Sequence, residues 1–229
     1  MRKSHQLCLL LLVKYPQKGY VKTRLTQKLD AHFVSELYKH MVEDVISSIE
    51  RTQLPLCIYY TPKYQLPRLQ AWLGTKHRFL PQKGTHLGSR LQHGMQSLMQ
   101  SGFTSVIALA SDVPDLSPNI LRTAAKALDH SDLVIGPCND GGYYLIGFTK
   151  NSYHPKYFTN IPWSTSEVFT KTLNNAKQTG VKTNILPQKQ DIDTLHDLQT
   201  FIHSRVKQNS LQLSKTGSYI YQNLTSIDG

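Results

Sequence analysis

The sequence predicts an α/β fold with a mainly parallel sheet. Short apolar runs, such as VIALA from Val106, alternate along the chain with longer segments whose apolar residues recur every three or four positions. Several of these runs are apolar throughout, as strands buried on both faces require. They end abruptly in loops rich in Gly, Pro and Asp. In open α/β sheets the carboxyl edge, where such loops lie, is where ligands bind.

The chain has 229 residues, enough for one full hydrophobic core, and no Pro-, Gly- or Ser-rich linker divides it. The expected organisation is one domain over residues 1–206 and a polar, Ser-rich tail over 207–229, either a loose extension or a packing arm. With 39% hydrophobic and 18% charged residues the composition excludes a disordered chain. Lys and Arg outnumber Asp and Glu by 26 to 15, a formal net charge of +11. That balance favours anionic partners: phosphorylated small molecules, nucleic acid or anionic lipid. The positive residues are scattered, with a modest cluster over 14–28, which suits a small anionic ligand and disfavours nucleic acid.

The amino terminus, MRKSHQLCLLLLV, imitates a signal peptide, but its apolar stretch is short and no small-residue cleavage site follows before the basic YPQKGYVKTRL. It reads as the first strand, residues 7–13. No other segment has the length of a membrane span. Cys8, Cys57 and Cys138 lie in or beside strand-like runs without metal-ligand spacing, as buried thiols in a reducing compartment do. A cytoplasmic protein is expected; a homodimer is allowed.

After the first strand comes PQKGYVKTRL. Gly19 lets the backbone approach a ligand, and Lys22, Thr23 and Arg24 place charge and a hydroxyl beside it. A solvated loop explains the same residues equally well. Residues 30–50 read as an amphipathic helix whose apolar stripe is core. A strand over 54–60, a short helix over 62–72 closed by Gly74 and a strand over 78–82 follow. KGTHLGSRL then leads into a helix ending near Gln100; Gly84 and Gly88 suggest close backbone approach, and Arg90 a phosphate contact from the first turns.

The run from Val106 stops at Asp112, and Pro114 prevents both ladder pairing and helix continuation. A turn or cap explains such an Asp by itself. Two further acidic loops add to it. Ser117 and Pro118 start a helix reaching Leu128. A strand over 132–137 meets NDGGYYLIGF, in which Asp140, Gly141 and Gly142 form a turn and residues 143–148 return as a hairpin strand. In IPWSTSEVF, Ser164 three residues before Glu167 predicts a capping box opening a helix, a start at which Ser164 and Thr165 also face an anion. A late strand over 181–187 precedes DIDTLHDL, with Thr194 as the cap of a helix through Val206 and Asp197 complementing its dipole. Asp191 and Asp193 fall on one face of an extended segment, where two carboxylates repel unless a cation or proton lies between them.

Taken together, PQKGYVKTRL, HLGSRL, ASDVPDL, GPCNDGGYYLIGF, IPWSTSEV and DIDTLHDL resemble, in order and spacing, the uncharacterised bacterial glycosyltransferase-like family of the GT-A superfamily that is related to 2-phospho-L-lactate guanylyltransferase. The likeness spans about residues 7–203. It implies a single-domain GT-A (Rossmann-like) α/β/α sandwich that binds a nucleotide or nucleotide-sugar and Mg²⁺ or Mn²⁺. Carried over residue by residue, Lys22 and Arg24 hold phosphates, Asp112 is the acidic metal-site residue, Asp140 with Gly141 and Gly142 shapes the acceptor side, and Asp193 is a second metal ligand, with Asp191 beside it. The chain departs from the family where His86 and Ser89 replace acidic residues around the Leu-Gly-x-Arg motif, and where Ser111 replaces Gly before the central Asp.

The resemblance implies transfer of a sugar from a nucleotide-sugar to a small-molecule acceptor that the sequence does not name, with Asp112, Lys22 and Arg24 as the catalytic set. The alternative is nucleotidyl transfer from a nucleoside triphosphate to a phosphorylated metabolite with release of pyrophosphate. A non-catalytic nucleotide-binding protein is a third reading, motivated by His86 and Ser89.

Overall fold

The computed structural model describes residues 6–223. β1 (Leu7–Lys14) is apolar without a break because both of its faces are covered: Leu9, Leu11 and Val13 point into one core cluster, Cys8 and Leu10 into another. α1 (Ala31–Glu50) lays Tyr38, Val42, Val45 and Ile49 on the first of these, and Asp30 caps it by accepting from the amides of His32 and Phe33. β2 (Leu56–Thr61) follows. The helix predicted over 62–72 is divided into a 3₁₀ turn, Lys63–Gln65, and α2 (Leu66–Leu73), which starts where Pro67 fits a first turn whose amides have no helical partner.

β3 (Arg78–Pro81), α3 (Leu87–Gln100), β4 (Ser105–Leu109), α4 (Pro118–Ala127) and β5 (Leu133–Pro137) continue the alternation. β6 (Tyr143–Thr149), α5 (Val168–Lys177), β7 (Thr183–Ile185), α6 (Leu195–Lys207) and α7 (Lys215–Gln222) complete it. The strands form one seven-stranded sheet in the order β3-β2-β1-β4-β6-β5-β7, in which β6 alone runs antiparallel to its neighbours β4 and β5. α1, α2 and α4 cover one face; α3 and α5 cover the other. The result is an α/β/α sandwich, as the family resemblance implies, with the mainly parallel sheet that the alternating pattern predicts.

One predicted feature is corrected. Ser164 and Glu167 do not form a capping box: α5 begins at Val168, its N-cap is Glu167 without a side-chain cap bond, and Ser164 has φ +68°. The loop is instead closed by Thr165, whose hydroxyl donates to the Pro162 carbonyl and accepts from the Glu167 amide. Sequence spacing fits a capping box, but the chain turns left-handed at the position that would have to be extended. The capping box of α6 does form: Thr194 and Asp197 exchange reciprocal bonds.

Within the expected tail, residues 208–223 are a packing arm. Ile220 and Leu211 are buried in a third cluster with Phe33, Leu37 and Met41 of α1. Asp44 of α1 accepts from the amides of Lys215 and Thr216, capping α7. Residues 1–5 and 224–229, which include the signal-like start and the last part of the tail, lie outside the described residues. Among the described residues no helix is long and apolar enough to cross a membrane.

The topology decides where the chemistry lies. β1, β4, β5 and β7 run the same way, so their carboxyl ends share one edge, and antiparallel β6 brings its amino end there. Each acidic loop of the sequence therefore meets the others at that edge.

Candidate active site

At the carboxyl edge lies a cavity of about 460 Å³ lined by Thr23, Arg24, Asp112, Cys138, Asp140 and Gly142, and by Tyr143, Trp163, Ser164, Thr165, Asp191 and Asp193 among others. Asp112 is delivered by the end of β4, and its loop is fixed by Val113 and Leu116, both buried in the core. The segment carrying Asp191 and Asp193 is held against it: the Ile192 amide donates to the Asp112 carbonyl at 3.0 Å, and the Ile192 side chain is fully buried. Asp191 and Asp193 flank that buried residue and both reach the cavity.

The Lys22 ammonium is the electrostatic centre. Its Nζ lies 2.6 Å from Asp112 Oδ2 and 3.3 Å from Asp193 Oδ1, with a side chain only 7% exposed. Arg24 Nη1 is 2.8 Å from Asp193 Oδ2. Burial by itself would lower the Lys22 pKa; the Asp112 and Asp193 carboxylates outweigh it and hold the ammonium above its ordinary value. Lys22 occupies a left-handed backbone conformation, φ +47°, which costs on the order of 1–2 kcal/mol for a residue with a Cβ. Both Lys22 and Ser164 carry such a conformation at this site.

Asp191 is placed differently. Burial first, then the neighbouring Asp112 and Asp140 charges, raise its pKa to about 7, which Lys22 only partly offsets. Cys138, at the end of β5, is 6% exposed; burial, then the Asp191, Asp112 and Asp140 charges, push its thiol above the usual range. Asp140 Oδ1 accepts from the Gly142 amide at 2.8 Å, which shapes the turn. Gly141 sits at φ +86°, where a side chain would run into the Ser166 carbonyl.

Nine of the sequence-predicted residues line the cavity: Thr23, Arg24, Asp112, Asp140, Gly142, Ser164, Thr165, Asp191 and Asp193. Lys22 meets it through Asp112 and Asp193, and Gly141 joins the lining residues Asp140 and Gly142 without lining it. Others are placed elsewhere. Gly19, at φ +77°, is on an exposed loop with open space around it. Arg90 ties its own loop together, donating to the Gly84 carbonyl and to Gln82 Oε1. Gly88 packs beneath Trp163, where an added Cβ would lie 2.7 Å from Cζ2. The departures from the family pattern have structural roles: His86 and Ser89 form the reciprocal capping box of α3, and the Ser111 hydroxyl lies 3.1 Å from the buried Tyr38 hydroxyl.

Cys138, Tyr143 and Trp163 were given no site role by the sequence reading. Their signals were adjacency to Asp140 and to the Gly-Gly turn, and the Trp of the WST motif; a buried aromatic or thiol reads as core until the fold shows that it borders a cavity.

The cavity is acidic. Four aspartates face one another with Arg24 and the edge of Lys22, in a chain whose overall charge is +11. Lys22 and Arg24 already neutralise Asp112 and Asp193 on one side, whereas Asp191 has oxygens without an ion-pair partner among the described residues. Carboxylate oxygens held together in this way suit a hard divalent cation, so the residues fit Mg²⁺ or Mn²⁺.

The profile of the family described as "Uncharacterized protein conserved in bacteria (DUF2064)" matches residues 45–165. The chain belongs to this family. A crystal structure from Desulfovibrio desulfuricans G20, of a protein provisionally named a nucleotide-diphospho-sugar transferase, is 36% identical, with a TM-score of 0.92 and 97% of each chain covered. A nucleotidyl transferase from Methanothermobacter thermautotroptrophicus matches at a TM-score of 0.58 and 14% identity, covering 89% of this chain and 99% of that one. Rv0371c of Mycobacterium tuberculosis H37Rv in complex with manganese matches at 0.53 and 10%, covering 85% and 96%. No curated protein matches the chain. The fold of this DUF2064 chain is therefore the GT-A type shared by nucleotide-sugar transferases and nucleotidyltransferases.

Proposed function

We propose that this protein is a metal-dependent transferase that takes its donor group from a nucleotide-sugar. The observation that carries the reading is the convergence of Asp112, Asp140, Asp191 and Asp193 on one cavity at the carboxyl edge of the sheet, opposite Tyr143 and Trp163. A nucleotide's phosphates enter an acidic cavity only with a cation, and Asp112, with Asp193 once Arg24 turns from it, offers carboxylate oxygens to hold Mg²⁺ or Mn²⁺ there. Such an ion, when bound, offsets charge on the leaving phosphate.

The chain's own residues do the rest. Lys22 orients Asp112 and Asp193 through ion pairs at 2.6 and 3.3 Å, and fixes the oxygens that remain for the cation. Arg24, with a side chain 55% exposed at the mouth, reaches a phosphate by turning from Asp193. Trp163 and Tyr143, edge to face with ring centroids 6.5 Å apart, form a rigid wall for the acceptor beside the Asp140 turn. Arg24 is free to turn to a phosphate but Lys22 stays buried between two carboxylates, which leaves less free positive charge than a triphosphate needs and favours the diphosphate of a nucleotide-sugar. The name of the Desulfovibrio relative agrees. The cytoplasm, where nucleotide donors are made and free thiols stay reduced, is the compartment this reading assigns.

A thermal-shift screen against nucleotide-sugars, nucleoside diphosphates and triphosphates, each with and without Mg²⁺ or Mn²⁺, tests it. The expected result is a metal-dependent stabilisation by a nucleotide-sugar, lost in Asp112→Asn, followed by release of nucleoside diphosphate when acceptors are supplied. Stabilisation by a triphosphate alone, with pyrophosphate released, assigns nucleotidyl transfer instead. No shift with any of them overturns both and leaves a non-catalytic protein.

A further inference from the structure

Cys138, Asp140 and Asp191 form a group that the transferase reading does not use as a unit. One donor atom from each, a thiol sulfur and two carboxylate oxygens, lies within 4.8 Å of the other two. The fold builds this proximity: Cys138 continues β5, the turn ending in Gly142 returns Asp140, and a single bridge between Cys138 and Lys189 lays the late segment alongside. Cys138 is 94% buried, with 6% exposure, yet it lines the cavity. Cys8 and Cys57 are the contrast: they are buried within the sheet, pack into the core and border no such space.

The donors keep free coordination capacity. Asp140 uses Oδ1 for the Gly142 amide and has Oδ2 to spare. The nearby cations Lys22 and Arg24 are paired with Asp112 and Asp193, not with Asp191. Sulfur changes the preference of such a site: Mg²⁺ takes oxygen ligands, whereas a thiolate with two carboxylates favours Zn²⁺ and softer ions of the same charge.

We propose that Cys138 Sγ, Asp140 and Asp191 bind a thiophilic divalent cation of the Zn²⁺ type, beside the ion cluster of Lys22, Asp112 and Asp193, with a further coordination position open to the cavity. On binding, the sulfur–metal bond forms as the thiol proton, and any proton held by Asp191, leave to solvent, and the two carboxylates donate an oxygen each, so a net charge of −3 from the ligands meets +2 from the ion. Small rotations of the Asp140 and Asp191 side chains bring the donors to metal–sulfur and metal–oxygen distances of about 2.3 and about 2.1 Å. The site stands whether or not the cavity turns over a nucleotide donor.

The test is a titration of the full chain, stripped of divalent ions, with Cd²⁺, followed by the ultraviolet charge-transfer absorption of a cadmium–thiolate bond. The wild-type band is expected to saturate at about one equivalent, to vanish in Cys138→Ser, and to withstand excess Mg²⁺. In Asp140→Asn, which keeps the acceptor for the Gly142 amide and alters an exposed side chain, the band is expected to persist with Cd²⁺ affinity about tenfold weaker or more. No band in the wild type, a band that survives in Cys138→Ser, or unchanged affinity in Asp140→Asn overturns the proposal. The Asp140 arm decides the matter if Cys138→Ser does not fold.

Discussion

Lys22 Nζ lies 2.6 Å from Asp112 Oδ2, a contact between residues 90 positions apart that fastens the loop after β1 to the loop after β4. Removing the ammonium leaves the Asp112 and Asp193 carboxylates, with side chains 26% and 30% exposed, facing each other with only Arg24, paired to Asp193, to compensate. Lys22→Met is expected to destabilise the fold by about 2–4 kcal/mol, the lower part of that range reflecting the partial exposure of the partners. Urea unfolding at neutral pH measures it; a change below the error of the midpoint would show that the cluster contributes no net stability. Because the Lys22 pKa is raised, its contribution is complete below the unfolded value near ~10.4 and fades only as pH rises through the folded one.

Asp191 gives the opposite pH dependence. Its folded pKa of about 7 stands above its unfolded value, so between roughly pH 4 and 7 the native state holds a proton that the unfolded chain has released. Stability from this position therefore falls as pH rises through that window. With divalent ions chelated, Asp191→Asn is expected to unfold at a higher urea midpoint than the wild type at about pH 8, and at nearly the same midpoint at about pH 4. A constant difference across the range would remove Asp191 as its source.

Two glycines in left-handed conformations separate backbone strain from steric conflict. Gly19→Ala places its methyl in open space, so only the conformational cost of about 1 kcal/mol is expected. Gly141→Ala carries the same cost and drives its methyl into the Ser166 carbonyl, in a segment already tied down by the Phe169 amide, which donates to the Gly141 carbonyl at 2.8 Å. A loss of about 3 kcal/mol or more is expected there, as for overpacking added to strain. Equal losses in the two variants would place the Asp140 turn away from Ser166 in solution.

The arm that ends in α7 is expected to contribute to the core. Ile220 is fully buried against α1, and Ile220→Ala should cost about 2–4 kcal/mol. Asp44→Ala, which removes the acceptor for two α7 amides, should cost about 1 kcal/mol. Thermal unfolding of both variants checks the pair; no effect from either would mean that the arm is not docked.

Much of this architecture was legible because β1 and β4 are apolar on both faces and α1 repeats its apolar residues on one stripe. Asp112, Asp140, Asp191 and Asp193 were legible as acidic residues in loops after strands, and their meeting follows from the sheet's strand directions. What the sequence left unread depended on distance along the chain. Nothing local says that Lys22 sits between Asp112 and Asp193, and a Lys in a loop reads equally as a phosphate ligand. Ser164 misled because a capping box is defined by residue types, whereas the chain's hand at that point is set by its docking near Gly141. Ile220 was missed because the arm after α6 carries few apolar residues without a clear period, of which Leu211 and Ile220 are buried in the cluster with α1 while Leu213 and Tyr221 are exposed.

Ile192 donates its amide to the Asp112 carbonyl, and its side chain is the buried pin between Asp191 and Asp193. The cavity is therefore assembled from the early part of the chain and a late segment held by few backbone bonds, among them those from the Lys189 amide to Pro137 and from the Asn139 amide to the Lys189 carbonyl. Release of that segment would dismantle the cavity while β1, β2 and β4 stayed paired. Amide exchange at Ile192 would then report the open population directly, and a molecule bound in the cavity would slow it without slowing exchange in the central strands.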